Sequence, residues 1–231
     1  MNKTKKILIL DTETVGNIAH PLVYDVGFIV TDRNGTVYHA EHHVVKELFS
    51  DVQFMATAFY AHKYNTYIDG LYARDVEPLF FGEILNRIDK AIEFYNIKTL
   101  AAYNLLFDER AMSNTCELLF DNENWLKYPL ERLCIMCGAC DILYGKKYIQ
   151  FARANHFETA KGNIKTSAEI GYRFLTNNLE FEEAHKGLDD CYIEAQILKA
   201  LYDKHKKFNG TPRAFPMKEV YQREKRCITN L

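Results

Sequence analysis

Four apolar residues, Ile7 to Leu10, run straight into Asp11-Thr12-Glu13-Thr14, and this pattern predicts a buried strand ending in acids. Side chains alternate faces along a strand, so Asp11 and Glu13 fall on one face at its mouth. Val23 to Thr31 and Thr36 to Val45 have strand composition. Asn34-Gly35 between them is a hairpin signal, so an antiparallel pair follows. From Lys46 to Tyr67 the spacing turns helical, with Leu48, Val52, Met55 and Phe59 three or four apart. Phe81, Ile84, Leu85, Ile88, Ile92 and Tyr95 share one face of a further helix. Thr99 to Tyr103 reads as a short strand leading into a helix from near Asn104 to Phe120. A short strand after Pro129 precedes a helix over Cys134 to Tyr144. The polar, irregular stretch Lys146 to Asn163 is expected to be a mobile loop. Lys165 to Leu175 reads as a helix, and Leu188, Cys191, Ala195, Leu198 and Tyr202 mark the best-formed one. Early strands followed by strands alternating with helices describe a mixed α/β sheet covered by helices.

Composition adds bounds. The chain has 231 residues, 48% of them hydrophobic, enough for one larger domain or a domain with a tail. The domain is expected over residues 1–204, with a basic and extended tail over 205–231. From Lys204 to Arg226 the chain carries Lys204, Lys206, Lys207, Arg213, Lys218, Arg223, Lys225 and Arg226 against Glu219 and Glu224. A charge run of this kind either touches phosphates or is a solvated end. Lys3, Lys5 and Lys6 precede an apolar run too short for a secretory signal, and no stretch reaches membrane-spanning length. A cytoplasmic protein without a membrane partner is expected, its six cysteines reduced. The net charge of −2 gives no global attraction to nucleic acid. Cys134, Cys137 and Cys140 have spacing that can hold zinc or an iron–sulfur cluster, but no fourth ligand is evident. Core packing of small apolar thiols is the better reading.

Two carboxylates held as close as Asp11 and Glu13 repel unless a cation or proton sits between them. Oxygen ligands suit magnesium and manganese, so the strand end reads as a hard-metal site. Further acids open later helices. Asp108 falls in the first turns after Asn104, and Asp189 and Asp190 follow His185-Lys186-Gly187-Leu188. Each has a plainer account as a first-turn acid favoured by the helix dipole.

Taken together, Asp11-x-Glu13, Asn104-x-x-Phe107-Asp108, and His185 five residues before Asp190 resemble the three motifs of the DEDDh 3′→5′ exonucleases. That family includes the proofreading epsilon subunit of bacterial replicases, ribonuclease T and oligoribonuclease. The sister group places a tyrosine where this chain has Lys186, so His185 assigns the histidine branch. Gly187 stands where Ala is usual, a change expected to be tolerated. The Lys46 to Phe80 region is closer to small bacterial or phage-encoded members. The resemblance implies a ribonuclease H-like fold, a five-stranded mixed sheet flanked by helices. It implies two divalent cations, Mg2+ or Mn2+, held by Asp11, Glu13, Asp108 and Asp190. Asp11 would bridge both ions, and His185 would swing in as general base, its ordinary pKa of about 6.5 suiting neutral pH. Thr12, Thr14 and Asn104 are substrate-contact candidates, although Asn104 is more simply a helix cap. Aromatics between Phe59 and Tyr72 would stack on bases or fill the core. The expected activity is hydrolysis at the 3′ end of nucleic acid, DNA and single strands favoured, releasing nucleoside monophosphates. Alternatives are a 3′-trimming or oligonucleotide-degrading exoribonuclease, an endonuclease on the same fold, or a non-enzymatic binding module. Crowded acids without a structural benefit argue against the last. A homodimer or a polymerase or replication partner is a further expectation of the resemblance.

Overall fold

The computed structural model describes residues 4–229; Lys3 and the side chain of Cys227 lie outside what it describes. A six-stranded mixed sheet, ordered β4-β3-β2-β1-β5-β6, carries helices on its faces. Its strands are β1 (Lys6–Asn17), β2 (His20–Asp32), β3 (Val37–Val45), β4 (Glu77–Leu79), β5 (Thr99–Ala102) and β6 (Glu131–Cys134). β1 pairs antiparallel with β2 and parallel with β5, placing the hydrophobic run Ile7–Leu10 in the middle of the sheet, essentially free of solvent. The mixed sheet is as expected, but it has six strands rather than five. β4 was not expected because three residues around Pro78 are too short to show strand alternation, and proline fits only a sheet edge.

β1 also runs past its acids. It continues through a bulge between Glu13 and Thr14 to Asn17, whose side chain accepts from Ala19 and His20 N–H at 2.9 and 3.0 Å and turns the chain into β2. Its pairing with β5 stops at Ile9. Beyond that point one edge of β1 is open, and the crevice beyond the carboxyl ends of parallel strands is where open α/β sheets place ligands.

The helices are α1 (Lys46–Phe49), α2 (Val52–Met55), α3 (Tyr64–Ala73), α4 (Phe81–Tyr95), α5 (Leu105–Phe120), α6 (Ile135–Gly138), α7 (Lys146–Ala154), α8 (Ala168–Thr176), α9 (Gly187–Lys204) and α10 (Met217–Thr229). The helix expected over Lys46 to Tyr67 is broken into α1, α2, a 3-10 turn over Ala61–Lys63 and the start of α3. Asp51 interrupts it by capping α2, accepting from Phe54 N–H at 2.9 Å. The helix over Cys134 to Tyr144 is present, its second half wound as a π-turn over Ala139–Leu143.

Two segments are more ordered than their polarity suggests. The expected loop over Lys146 to Asn163 begins with α7, which buries Tyr148, Ile149 and Ala152 behind a charged outer face. The expected extended tail contains α10, packed on α7 through the fully buried Val220 and through Arg153, which pairs with Glu224. Arg213 pairs with Asp141 at 2.5 Å, so these basic residues brace the fold. Burying one such valine contributes about 1.5–3 kcal/mol. Cys134, Cys137 and Cys140 are unbridged and buried in the core.

α9 reaches the sheet without side chains between. A Cβ on Gly27 of β2 would lie 2.0 Å from the Gly187 backbone, and one on Gly187 2.5 Å from Gly27 N and 2.8 Å from the Asp11 carbonyl. A side chain at position 187 is therefore opposed by backbone, and the glycine there suits the close approach. Gly27→Ala or Gly187→Ala should each cost roughly 1–3 kcal/mol or more, read as a lowered urea midpoint. Gly145→Ala, where nothing lies within 4 Å of the added carbon, should leave the stability read from that midpoint within about 0.5 kcal/mol of wild type.

Candidate active site

The open edge of β1, the N-terminal turns of α5 and α9, and the broken segment before α3 enclose a cleft of about 350 Å3. Asp11, Glu13, Asp108, His185 and Asp190 all line it, together with Thr12, Asn104 and Phe107. Five residues spread over three distant segments are thus brought to one place. Asp11 and Glu13 come from β1. Asp108 comes from the first turn of α5, where Thr12 Oγ1 donates to its Oδ1 at 2.9 Å. Asp190 comes from the first turn of α9 and is 5% exposed. Ligand atoms of Glu13, His185 and Asp190 lie within 4.8 Å of one another, the only group of this kind among the described residues. The three cysteines form no such group.

Thr12 is buried and spends its hydroxyl on Asp108, so its role is positional. Thr14 lies past the bulge and is not among the cleft residues. Asn104 makes no side-chain cap for α5, contrary to the simpler reading, and stands exposed at the cleft. Asp189 is exposed and faces a separate groove beside Tyr172 and Phe181. The aromatics divide by role. Tyr67 is buried and Tyr64 stacks on Phe49, whereas Phe59 is exposed and Tyr60 lines the cleft.

His185 is already inside. Its ring stacks on Tyr60 with centroids 4.0 Å apart, and its Nδ1 lies 3.6 Å from Glu183 Oε2. Its backbone is left-handed, at φ 51°, in the turn that delivers α9. Burial, assisted by the cations of Lys63 and His62, lowers its pKa to about 4 rather than leaving it at the ordinary value. The ring is therefore neutral at neutral pH and able to accept a proton.

Sequence reasoning missed five residues at or beside the site. Asp25, fully buried opposite Glu13 in the β1–β2 register, accepts from Gly187 N–H at 3.0 Å and Tyr67 Oη at 2.5 Å. His42 Nε2 sits 2.8 Å from its other oxygen; burial works against the imidazolium, but the Asp25 charge outweighs it and raises the pKa. Glu183 borders the cleft, as does Glu194, one turn beyond Asp190 on α9. Lys63 reaches across to the Ala184 carbonyl at 2.5 Å. The available signal was an acid inside an apolar stretch: Asp25 between Tyr24 and Val26, and Glu194 between Ile193 and Ala195.

The concentration of acids governs the electrostatics. Burial, reinforced by Glu194, Asp108, Asp190 and Glu13, pushes Asp11 well above the carboxylate range. Burial followed by Asp25 does the same to Glu13. Asp108 rises to about 7 through burial, against the opposing Thr12 hydrogen bond. Asp190 rises to about 8 through burial and the charge of Glu183. Buried polar atoms left without partners include Asp190 Oδ1 and Glu194 Oε2. An all-oxygen set joined by one imidazole, with orphaned oxygens, fits a hard divalent cation.

A sign follows for stability. These carboxyls bind protons more tightly folded than unfolded, so their contribution to the stability of the metal-free protein is greatest in acid. It loses that stability as pH rises from the unfolded carboxylate range through about 7 and about 8. Thermal melts in chelator should give a Tm that falls over this window. Added Mn2+ should raise Tm more at about pH 8 than at about pH 6, because the ion needs the deprotonated acids. A metal-induced shift independent of pH would contradict this account.

No family model and no curated protein matches the sequence. Solved structures do. E. coli exonuclease I in a zinc-bound complex with single-stranded DNA superposes with a TM-score of 0.54 at 15% identity, over 89% of this chain and 42% of that one. E. coli exonuclease I in complex with a dA16 oligonucleotide gives 0.54 at 16% identity, over 87% and 41%. Exonuclease I without ligand gives 0.54 at 18% identity, over 88% and 43%. The chain spans less than half the length of these proteins. At such identity the likeness shows the fold: a mixed sheet flanked by helices, in the ribonuclease H-like arrangement of the exonuclease I structures.

Proposed function

We propose that this chain is a metal-dependent 3′→5′ exonuclease of the DEDDh type that hydrolyses single-stranded DNA to nucleoside monophosphates. The observation that carries the reading is the convergence of Asp11, Glu13, Asp108, Asp190 and His185 on one cleft. The complexes of exonuclease I with single-stranded DNA, on the same fold, support the choice of substrate. In this reading residues 1–204 are the catalytic unit, and α10, in the segment that follows, packs against it.

Glu13 and Asp190, beside His185, would hold divalent cations, Mg2+ or Mn2+, together with Asp11 and Asp108. When bound, the ions would make an attacking water more acidic and neutralise charge on the leaving oxygen. His185, through its neutral ring, would accept a proton from the attacking water. Tyr60, stacked on one face, and Glu183, near Nδ1, hold the imidazole in place. Thr12 fixes the carboxylate of Asp108. Asn104 and Phe107 border the cleft where the terminal nucleotide would lie.

Asp11→Asn and Asp190→Asn should abolish hydrolysis while the circular dichroism spectrum stays unchanged. His185→Ala should lower kcat by roughly 10²–10⁴-fold. The substrate assignment is checked with 3′-labelled linear DNA and RNA, each single-stranded or duplex, and with circular single-stranded DNA. Linear single-stranded DNA should lose its 3′ label first and the circle should survive; a cut circle would mean an endonuclease, and preferred RNA an exoribonuclease. The acid limb of the pH profile provides a separate check. Because His185 is neutral above about 4, this limb should follow protonation of the carboxylates and move to lower pH as Mg2+ is raised. A limb fixed regardless of Mg2+ would return control of it to His185.

A further inference from the structure

The end of the sheet opposite the cleft carries a face of another character. Two grooves of about 470 and 530 Å3 meet there at Phe94 and Tyr95, the last residues of α4. Lys6 and Thr99, on the second groove, open the parallel strands β1 and β5, Lys6 five residues before Asp11. Phe94 is 82% exposed, and Tyr95 packs edge-on against it with centroids 4.8 Å apart. Tyr95 Oη donates to the Tyr38 carbonyl at 3.1 Å, and the Lys6 ammonium lies over the Tyr38 ring. Three aromatic residues are thus linked at the surface. Lys90 borders the first groove, Lys5 and Lys98 the second. All three of these lysines are exposed and form no ion pair among the described residues.

The neighbouring acids are already engaged. Glu41 holds His39 and His43, one on each oxygen, both at 2.7 Å. Glu93 accepts from Tyr128 Oη at 2.5 Å, Asp89 pairs with Lys127, and Glu131 accepts from Thr99 at 3.3 Å. The net charge of the chain is −2, so this concentration of uncompensated lysines is local. Solvated lysines alone need no partner. Lysines set around a largely exposed phenyl ring meet both demands of a single nucleic-acid strand, charge for its phosphates and a flat apolar surface for a base. We propose that this face is a second contact surface for single-stranded nucleic acid, with a base stacked on Phe94 and phosphates beside Lys90 and Lys98. Five strand residues at roughly 3.3 Å each set the start of this face about 16 Å from Asp11. A strand gripped there keeps its end at a high local concentration near the cleft. The inference rests on the nuclease reading above for its ligand, but a strand is held here whether or not it is cut.

The test is the fluorescence anisotropy of a 5′-labelled dT20 oligonucleotide with the full chain in chelator, where no ion recruits phosphates to the acidic cleft. Wild type is compared with Phe94→Ala and with the double variant Lys90→Glu, Lys98→Glu, all at exposed positions. Wild type should bind dT20. Phe94→Ala should bind it roughly fivefold or more weakly, yet hold inorganic polyphosphate, which has no bases, as wild type does. The double variant should lose affinity for both, and its slope of log K against log salt for dT20 should be shallower by about 1. With Mg2+ present, all three proteins should cut the dinucleotide pdTpdT, too short to span both surfaces, at the same rate. Wild-type affinity for dT20 in both variants, or no binding of dT20 by wild type, would overturn the second surface and leave the nuclease reading intact. Equal losses of dT20 and polyphosphate in Phe94→Ala would also overturn it, in favour of a general anion surface. Binding as expected by a protein that cuts neither dT20 nor pdTpdT would support the surface and overturn the nuclease reading.

Discussion

The approach of α9 onto the sheet at Gly27 and Gly187 is the constraint on which the site depends. Backbone meets backbone there, with no room for a methyl group on either side. Asp25 locks the contact by accepting from Gly187 N–H and Tyr67 Oη. With the first turn of the helix fixed against β1 and β2, Asp190 and Glu194 are carried toward the acids of β1. The left-handed turn at His185 is held on the same anchor. A buried carboxylate with several hydrogen bonds is here an element of architecture, and its partners come from three segments.

The surrounding acids are organised by the opposite logic. Asp25 is paired on every side, whereas the cleft carboxyls face one another with few donors between them. Lys63 is the cation that tempers Glu13, Glu183 and Asp190, and it lies on the irregular segment before α3. Breaking that segment brings Tyr60 to the cleft and Lys63 to the Ala184 carbonyl; a continuous helix would have carried them along a regular face. Irregular backbone is where functional side chains are most often mounted on a rigid scaffold.

Much of this was legible in sequence. The strand Ile7–Leu10, the Asn34-Gly35 hairpin, α4, α5 and α9 each follow a strong local pattern, and three motif segments pointed to the five converging residues. What escaped had physical reasons. β4 is too short and contains Pro78. α7 carries charged residues on its outer face, which masks the buried positions at helical spacing. Thr14 was a substrate-contact candidate by its place in the motif, and a bulge after Glu13 sets it outside the cleft. The pKa of His185 depends on Lys63 and His62, more than a hundred residues away in the chain, and no local pattern encodes that neighbourhood. Gly27 and Gly187 looked like ordinary small residues because the reason for their size lies on the other element.

Both margins of the sheet are also short, and each is blunted by different means. At one, β4 offers only three residues, one of them a proline lacking the donor a neighbouring strand would need. At the other, Cys134 N–H is taken by the Gly210 carbonyl at 2.7 Å, so the chain leaving α9 lies along the end of β6. Exposed strand margins are templates for uncontrolled self-association. A sheet finished in this way offers little to a foreign strand, which leaves association with other macromolecules to loops, helices and the cleft.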